Sequence, residues 1–118
     1  MGTRPVTDPR HPSLGEPAPF ALRVSLGAEV TVAVQGELDI ATVPLFEAAV
    51  AGIDVRSTGG MVLDFEALDF IDVSGVRAVL ALRATCLHAS VALAILPGPR
   101  RVQRIFELVD QLPDRLCR

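Results

Sequence analysis

The chain has 118 residues, a net charge of −3 and 50% hydrophobic residues, which fits one domain with one buried core and leaves no room for a second. With five Phe and no Trp or Tyr, that core must be built from Val, Leu, Ile and Ala. The cations are scattered arginines without a basic block, which argues against nucleic-acid binding, because phosphate neutralisation needs a clustered basic surface.

Residues 1–19 contain Pro5, Pro9, Pro12, Pro17 and Pro19 with Gly2 and Gly15. That is too much proline for helix or sheet, so a disordered, Pro-rich solubilising tail is expected there, with the folded domain over residues 20–118. MGTRPVTDPR lacks the apolar stretch of a signal peptide, and no apolar run approaches a bilayer-crossing length. A cytoplasmic protein with no membrane partner is therefore expected. Cys86 and Cys117 then read as reduced thiols, although a lone pair could form a disulfide. With only His11 and His88 beside them, no metal site is expected.

Phe20, Leu22, Val24 and Leu26 alternate with Ala21, Arg23 and Ser25, the period of a strand with one buried face. Gly27-Ala28 turns the chain, and Val30, Val32 and Val34 return it as a hairpin that runs into Gln35-Gly36-Glu37-Leu38-Asp39. A helix follows, with Thr42 as N-cap and Pro44 tolerated in its first turn. Leu45, Phe46, Ala49 and Val50 form its apolar face. Gly52 and Gly59-Gly60 punctuate its exit, and Met61-Val62-Leu63-Asp64-Phe65 is a short central strand.

A loop through Leu68-Asp69-Phe70-Ile71-Asp72 leads to a second helix over about Val76–His88. Val76, Val79, Leu80, Cys86 and Leu87 share a face there, with Arg83 snorkelling at its edge. SVALAIL, residues 90–96, reads as another buried strand, stopped by Pro97-Gly98-Pro99. The last helix starts near Arg100, carries Val102, Ile105, Phe106, Val109 and Leu112 at helical spacing, and ends by Pro113. The order β-β-α-β-α-β-α makes an α/β domain, a mixed central sheet of about four to five strands flanked by helices.

In an open α/β sheet, the strand ends that lead into helices gather on one edge, where sites form. Gly36-Glu37-Leu38-Asp39, the run Asp69 to Gly75, and Pro97-Gly98-Pro99 are all expected on that edge. Ser74 stands at a helix start, as an N-cap or as a modifiable surface hydroxyl. A phosphate there would benefit from free N–H groups and the helix dipole. Asp39 and Asp72 could likewise cap turns. No histidine is placed to activate Ser74 as a nucleophile, so no enzyme and no cofactor are expected.

GELDIATVPLFEAAV and LDFEALDFIDVSGVRAVL resemble the two signature regions of STAS domains, specifically of anti-sigma-factor antagonists, and PRRVQRIFEL is similar to that family's last helix. The spacing is specific: GELD with Thr three residues later, then a D-x-S-G helix start. The resemblance implies a phosphorylation-controlled partner switch. Its partners would be an anti-sigma factor that is also a serine kinase, and a serine phosphatase. Ser74 would be the phosphosite, and only the unphosphorylated form would capture the anti-sigma factor and release a sigma factor to regulate transcription. Asp39, Asp72, Gly75 and Arg77 would contact the partner. Val73 stands where family members often carry Ser or Thr, and Leu87-His88-Ala89-Ser90 replaces a glycine-rich turn. The alternatives are an unphosphorylated STAS scaffold and a small-ligand sensor; the retained Asp72-x-Ser74-Gly75 favours the switch over the first, and the lack of polar pocket residues argues against the second.

Overall fold

The computed structural model describes residues 19–110, with the side chains of Val109 and Asp110 left aside. Residues 1–18 of the expected tail, Leu112, Pro113 and Cys117 lie outside the described residues.

Strand β1 (Ala21–Ser25) pairs antiparallel with β2 (Val30–Leu38). Helix α1 (Val43–Ala51) and a short 3₁₀ turn (Val55–Ser57) lead to β3 (Met61–Asp64), parallel to β2. Strand β4 (Leu68–Ile71) also lies parallel to β2, and helix α2 (Val73–His88), strand β5 (Leu93–Leu96) and helix α3 (Arg100–Asp110) complete the described chain. The sheet order is β1-β2-β3-β5, with β4 on β2.

The observed order is thus β-β-α-β-β-α-β-α, one strand more than the sequence order above. Leu68–Ile71 was expected as loop; it is β4. Between the pairs Ala33↔Asp64 and Gly36↔Leu68, β2 advances by three residues and its partner by four. β3 and β4 are therefore successive pieces alongside one long strand, and where the pairing steps from Gly36↔Leu68 to Glu37↔Phe70 the partner advances two residues for one of β2, the signature of a bulge. Gly36, at φ 91°, supplies the left-handed backbone where the register shifts. Four residues with an aspartate and one apolar pair carry too little periodicity to announce such a strand; its pairing partner creates it.

Burial follows the central position of β2. Val30, Val32, Val34 and Leu38 are buried, opposite Met61 and Leu63 of β3 and Leu68 and Ile71 of β4. The edges differ from expectation. In β1, Leu22 is only half-buried and Val24 is exposed, as is Leu26 just beyond the strand. β5 starts at Leu93, three residues after the expected Ser90, and Ala94, Ile95 and Leu96 are exposed. Both are outer strands, with a neighbour on one side only.

The buried faces of the helices also differ from expectation, narrower in α1 and shifted in α2. Phe46 is the one buried residue of α1, while Leu45 is exposed. In α2, Val76, Val79, Leu80 and Cys86 are buried as expected, joined by Ala78 and Leu82, but Leu87 is exposed in the last turn. Arg83 is exposed beside the groove between α2 and α3.

Candidate functional site

The site forms where the C-terminal end of β2 meets the start of α2. Asp72 N donates to Leu38 O at 3.2 Å, which brings the residue after β4 level with the end of β2. From there the chain enters α2 three residues earlier than the sequence suggested. The N-cap is Asp72, not Ser74: its Oδ1 accepts from Gly75 N at 2.9 Å. Its other oxygen, Oδ2, accepts from Ile40 N at 3.2 Å. One carboxylate thus clasps the β2–α1 loop to the first turn of α2, which no local sequence pattern foretells.

Asp39 organises that loop from the other side. Its Oδ1 accepts from Ala41 N at 3.0 Å and Thr42 N at 3.1 Å. Asp39 N in turn donates to Thr42 Oγ1 at 2.9 Å, and that hydroxyl donates to Glu37 O at 2.8 Å. Thr42 is the N-cap residue of α1, but its side chain makes no capping bond; it braces the turn. The Thr three residues after GELD signalled this bracing more directly than a cap.

Ser74 is the second residue of α2, half-buried, and its hydroxyl bonds to no described residue. The amides of Val73 and Ser74 lie in the first turn, where an α-helix offers no intrahelical acceptor. Gly75 is buried, because a Cβ there would collide with Leu38 O and Ile71 Cγ1. It has no surface to offer; it lets α2 press against β2. Arg77 is exposed and lies three residues after Ser74, a neighbouring position on the helix surface. Around these polar groups two apolar side chains stand out in solvent: Ile40 is 75% exposed and Val73 59%.

Asp39, Asp72, Ser74 and Arg77 are thus brought to one place. Pro97-Gly98-Pro99 is not: Gly98 packs on Phe65, at the β3–β4 junction. Helix α3 is tied to β4 through Arg101, whose Nε donates to Asp69 O at 2.7 Å. Among the described residues no group of His, Cys, Asp and Glu could hold a metal ion, and no helix is long and apolar enough to cross a membrane.

The family model that matches the chain is the STAS domain, over residues 20–113. The chain belongs to the STAS-domain family. SpoIIAA, an anti-sigma-factor antagonist solved in its unphosphorylated form, is 26% identical with TM-score 0.59, covering 76% of this chain and 83% of its own. An anti-sigma-factor antagonist from Mycobacterium paratuberculosis is 22% identical with TM-score 0.62, covering 80% and 84%. The murine anion transporter Slc26a9 contains the fold too, at 17% identity and TM-score 0.62, but the match spans 78% of this chain and only 16% of the transporter. Among curated protein sequences none is significantly similar. Among the described residues, the mixed five-stranded sheet with three α-helices is the SpoIIAA-like fold.

Proposed function

We propose that this STAS domain is an anti-sigma-factor antagonist: a cytoplasmic, non-catalytic partner switch that captures an anti-sigma factor/serine kinase when Ser74 is unphosphorylated and so frees a sigma factor for transcription. The observation that carries the reading is the division of labour at the start of α2. Asp72 takes the cap, so helix capping no longer accounts for Ser74, whose hydroxyl is left uncommitted among described residues beside two free amides. In the phosphorylation step, Ser74 Oγ bonds to the γ-phosphorus of ATP as the bridging P–O bond breaks. ADP leaves and the hydroxyl proton is released; a serine phosphatase hydrolyses the ester to reset the switch.

A phosphate adds about −1.5 to −2 charges beside Asp72. The free domain tolerates it through the helix start, worth about 0.3–1 kcal/mol, with Arg77 one turn on. A docked partner shaped for a hydroxyl does not, because burying that charge leaves several kcal/mol of desolvation uncompensated. Ser74→Ala should bind constitutively, and Ser74→Glu at least ~30-fold more weakly, about 2 kcal/mol. Calorimetric titration against the kinase that adds one phosphate to the wild-type chain, with circular dichroism as folding control, tests this. Equal affinity of the two variants would leave the unphosphorylated scaffold.

A further inference from the structure

We infer that Ile40 and Val73 are the apolar contact by which the anti-sigma factor/kinase grips this domain, and that Asp39 and Asp72 act by holding the backbone that presents them. The inference rests on the partner-switch reading of Ser74. Val73 adjoins Ser74 as the first residue of α2, and Ile40 is tied to the same helix start by its N–H bond to Asp72 Oδ2, 3.2 Å. Both are among the most exposed large apolar residues described, although the core is only a turn away. Nothing in the fold needs an isoleucine in the braced turn between β2 and α1.

The site itself selects the occupant. A kinase that reaches the half-buried Ser74 hydroxyl must cover its surroundings. A stable interface takes roughly 800 Å² per partner, a disc about 16 Å in radius, so a protein centred on Ser74 covers both Val73 and Ile40. Each side chain is β-branched and stiff at χ1, so little rotamer freedom is lost on docking. The acidic groups are less available. Asp39 Oδ1 accepts from the amides of Ala41 and Thr42, and both oxygens of Asp72 accept from backbone N–H groups. The matching feature on the partner is an apolar cleft beside its phosphoryl-transfer centre.

The test is calorimetric titration of the purified kinase that phosphorylates the wild-type chain. Ile40→Ala, Ile40→Thr and Val73→Ala are compared with Ser74→Ala, Ser74→Glu and a control, Leu87→Ala. Leu87 is 69% exposed but lies 13 residues along α2 from Ser74, roughly 20 Å at 1.5 Å per residue. Ile40→Ala and Val73→Ala should each weaken binding about tenfold, or 1.4 kcal/mol, with unchanged circular dichroism. Ile40→Thr, which keeps the β-branch but not the apolar surface, should weaken it similarly, and Leu87→Ala should bind as wild type. If the Ile40 and Val73 variants bind within twofold of wild type while Ser74→Glu still fails, the inference falls and the switch reading stands. Equal losses from Leu87→Ala would also overturn it, as unspecific apolar adhesion. Equal affinity of Ser74→Ala and Ser74→Glu removes the switch reading itself.

Discussion

Replacing glycine by alanine inside a helix normally stabilises a protein by about 1 kcal/mol; at Gly75 the sign should reverse. A Cβ on Gly75 would collide with Leu38 O and come within 2.6 Å of Ile71 Cγ1. Neither obstacle is a flexible tip. Leu38 O is held in place at the end of β2, where it accepts from Asp72 N, and Ile71 is buried in β4. Relief requires the first turn of α2 to move off the sheet, which strains the Asp72 clasp on Ile40. Overpacking of this kind costs about 1–3 kcal/mol or more. The upper end applies to a backbone obstacle, and subtracting the propensity gain leaves a net loss of about 2 kcal/mol. At about 4–8 °C per kcal/mol for a domain of this size, Gly75→Ala should melt roughly 8–16 °C below wild type. Gly52→Ala is the matched control. Its Cβ would meet nothing closer than Ala49 O at 3.5 Å, and φ there is −79°, so it should be neutral or stabilise by about 0.4–1 kcal/mol. Thermal unfolding followed by circular dichroism measures both. A Gly75→Ala melting point at or above wild type would refute the close approach of α2 to β2.

Ser90→Gly should stabilise by about 1 kcal/mol, because Ser90 closes α2 in the left-handed region, φ 58°, where a side chain costs roughly 1–2 kcal/mol. The bonds Ser90 N to Leu87 O, 3.1 Å, and Val91 N to Cys86 O, 2.8 Å, form a Schellman motif that glycine would keep; a melting point no higher than wild type would count against it. Burial pushes the Cys86 thiol above its ordinary value of 9.0. Below that value both folded and unfolded chains keep the proton. Above it the unfolded chain loses its proton first, so stability falls as pH rises towards the folded value. Urea unfolding between pH 7 and 10 should show a decline that Cys86→Ala flattens.

Where the signal is local and periodic, it is legible in the chain itself. The alternation of Val30, Val32 and Val34 announces a strand with one buried face, because successive side chains of a strand point to opposite sides of the sheet. The spacing of Val76, Val79, Leu80 and Cys86 likewise places α2 on the core. The signature runs around Asp39 and Ser74 were enough to suggest the family. The same periodicity overstated burial at the edges: Val24, Leu26, Leu45, Ile95 and Leu87 follow the apolar pattern and stand in solvent.

Whether an apolar residue is covered depends on which strand ends up outermost and how each helix rolls, and no window of sequence contains that. The tertiary structure alone decided three things: that Leu68–Ile71 is a strand, because β2 supplies its partner; that Asp72 rather than Ser74 caps α2; and that Asp72 also reaches Ile40, 32 residues away. The first and the third depend on hydrogen bonds between segments distant in the chain, and the second, a local bond from Gly75 N to Asp72 Oδ1, follows from where β4 ends and α2 begins. Composition and spacing determine which groups are available to make such bonds, and only the packed sheet determines which of them meet.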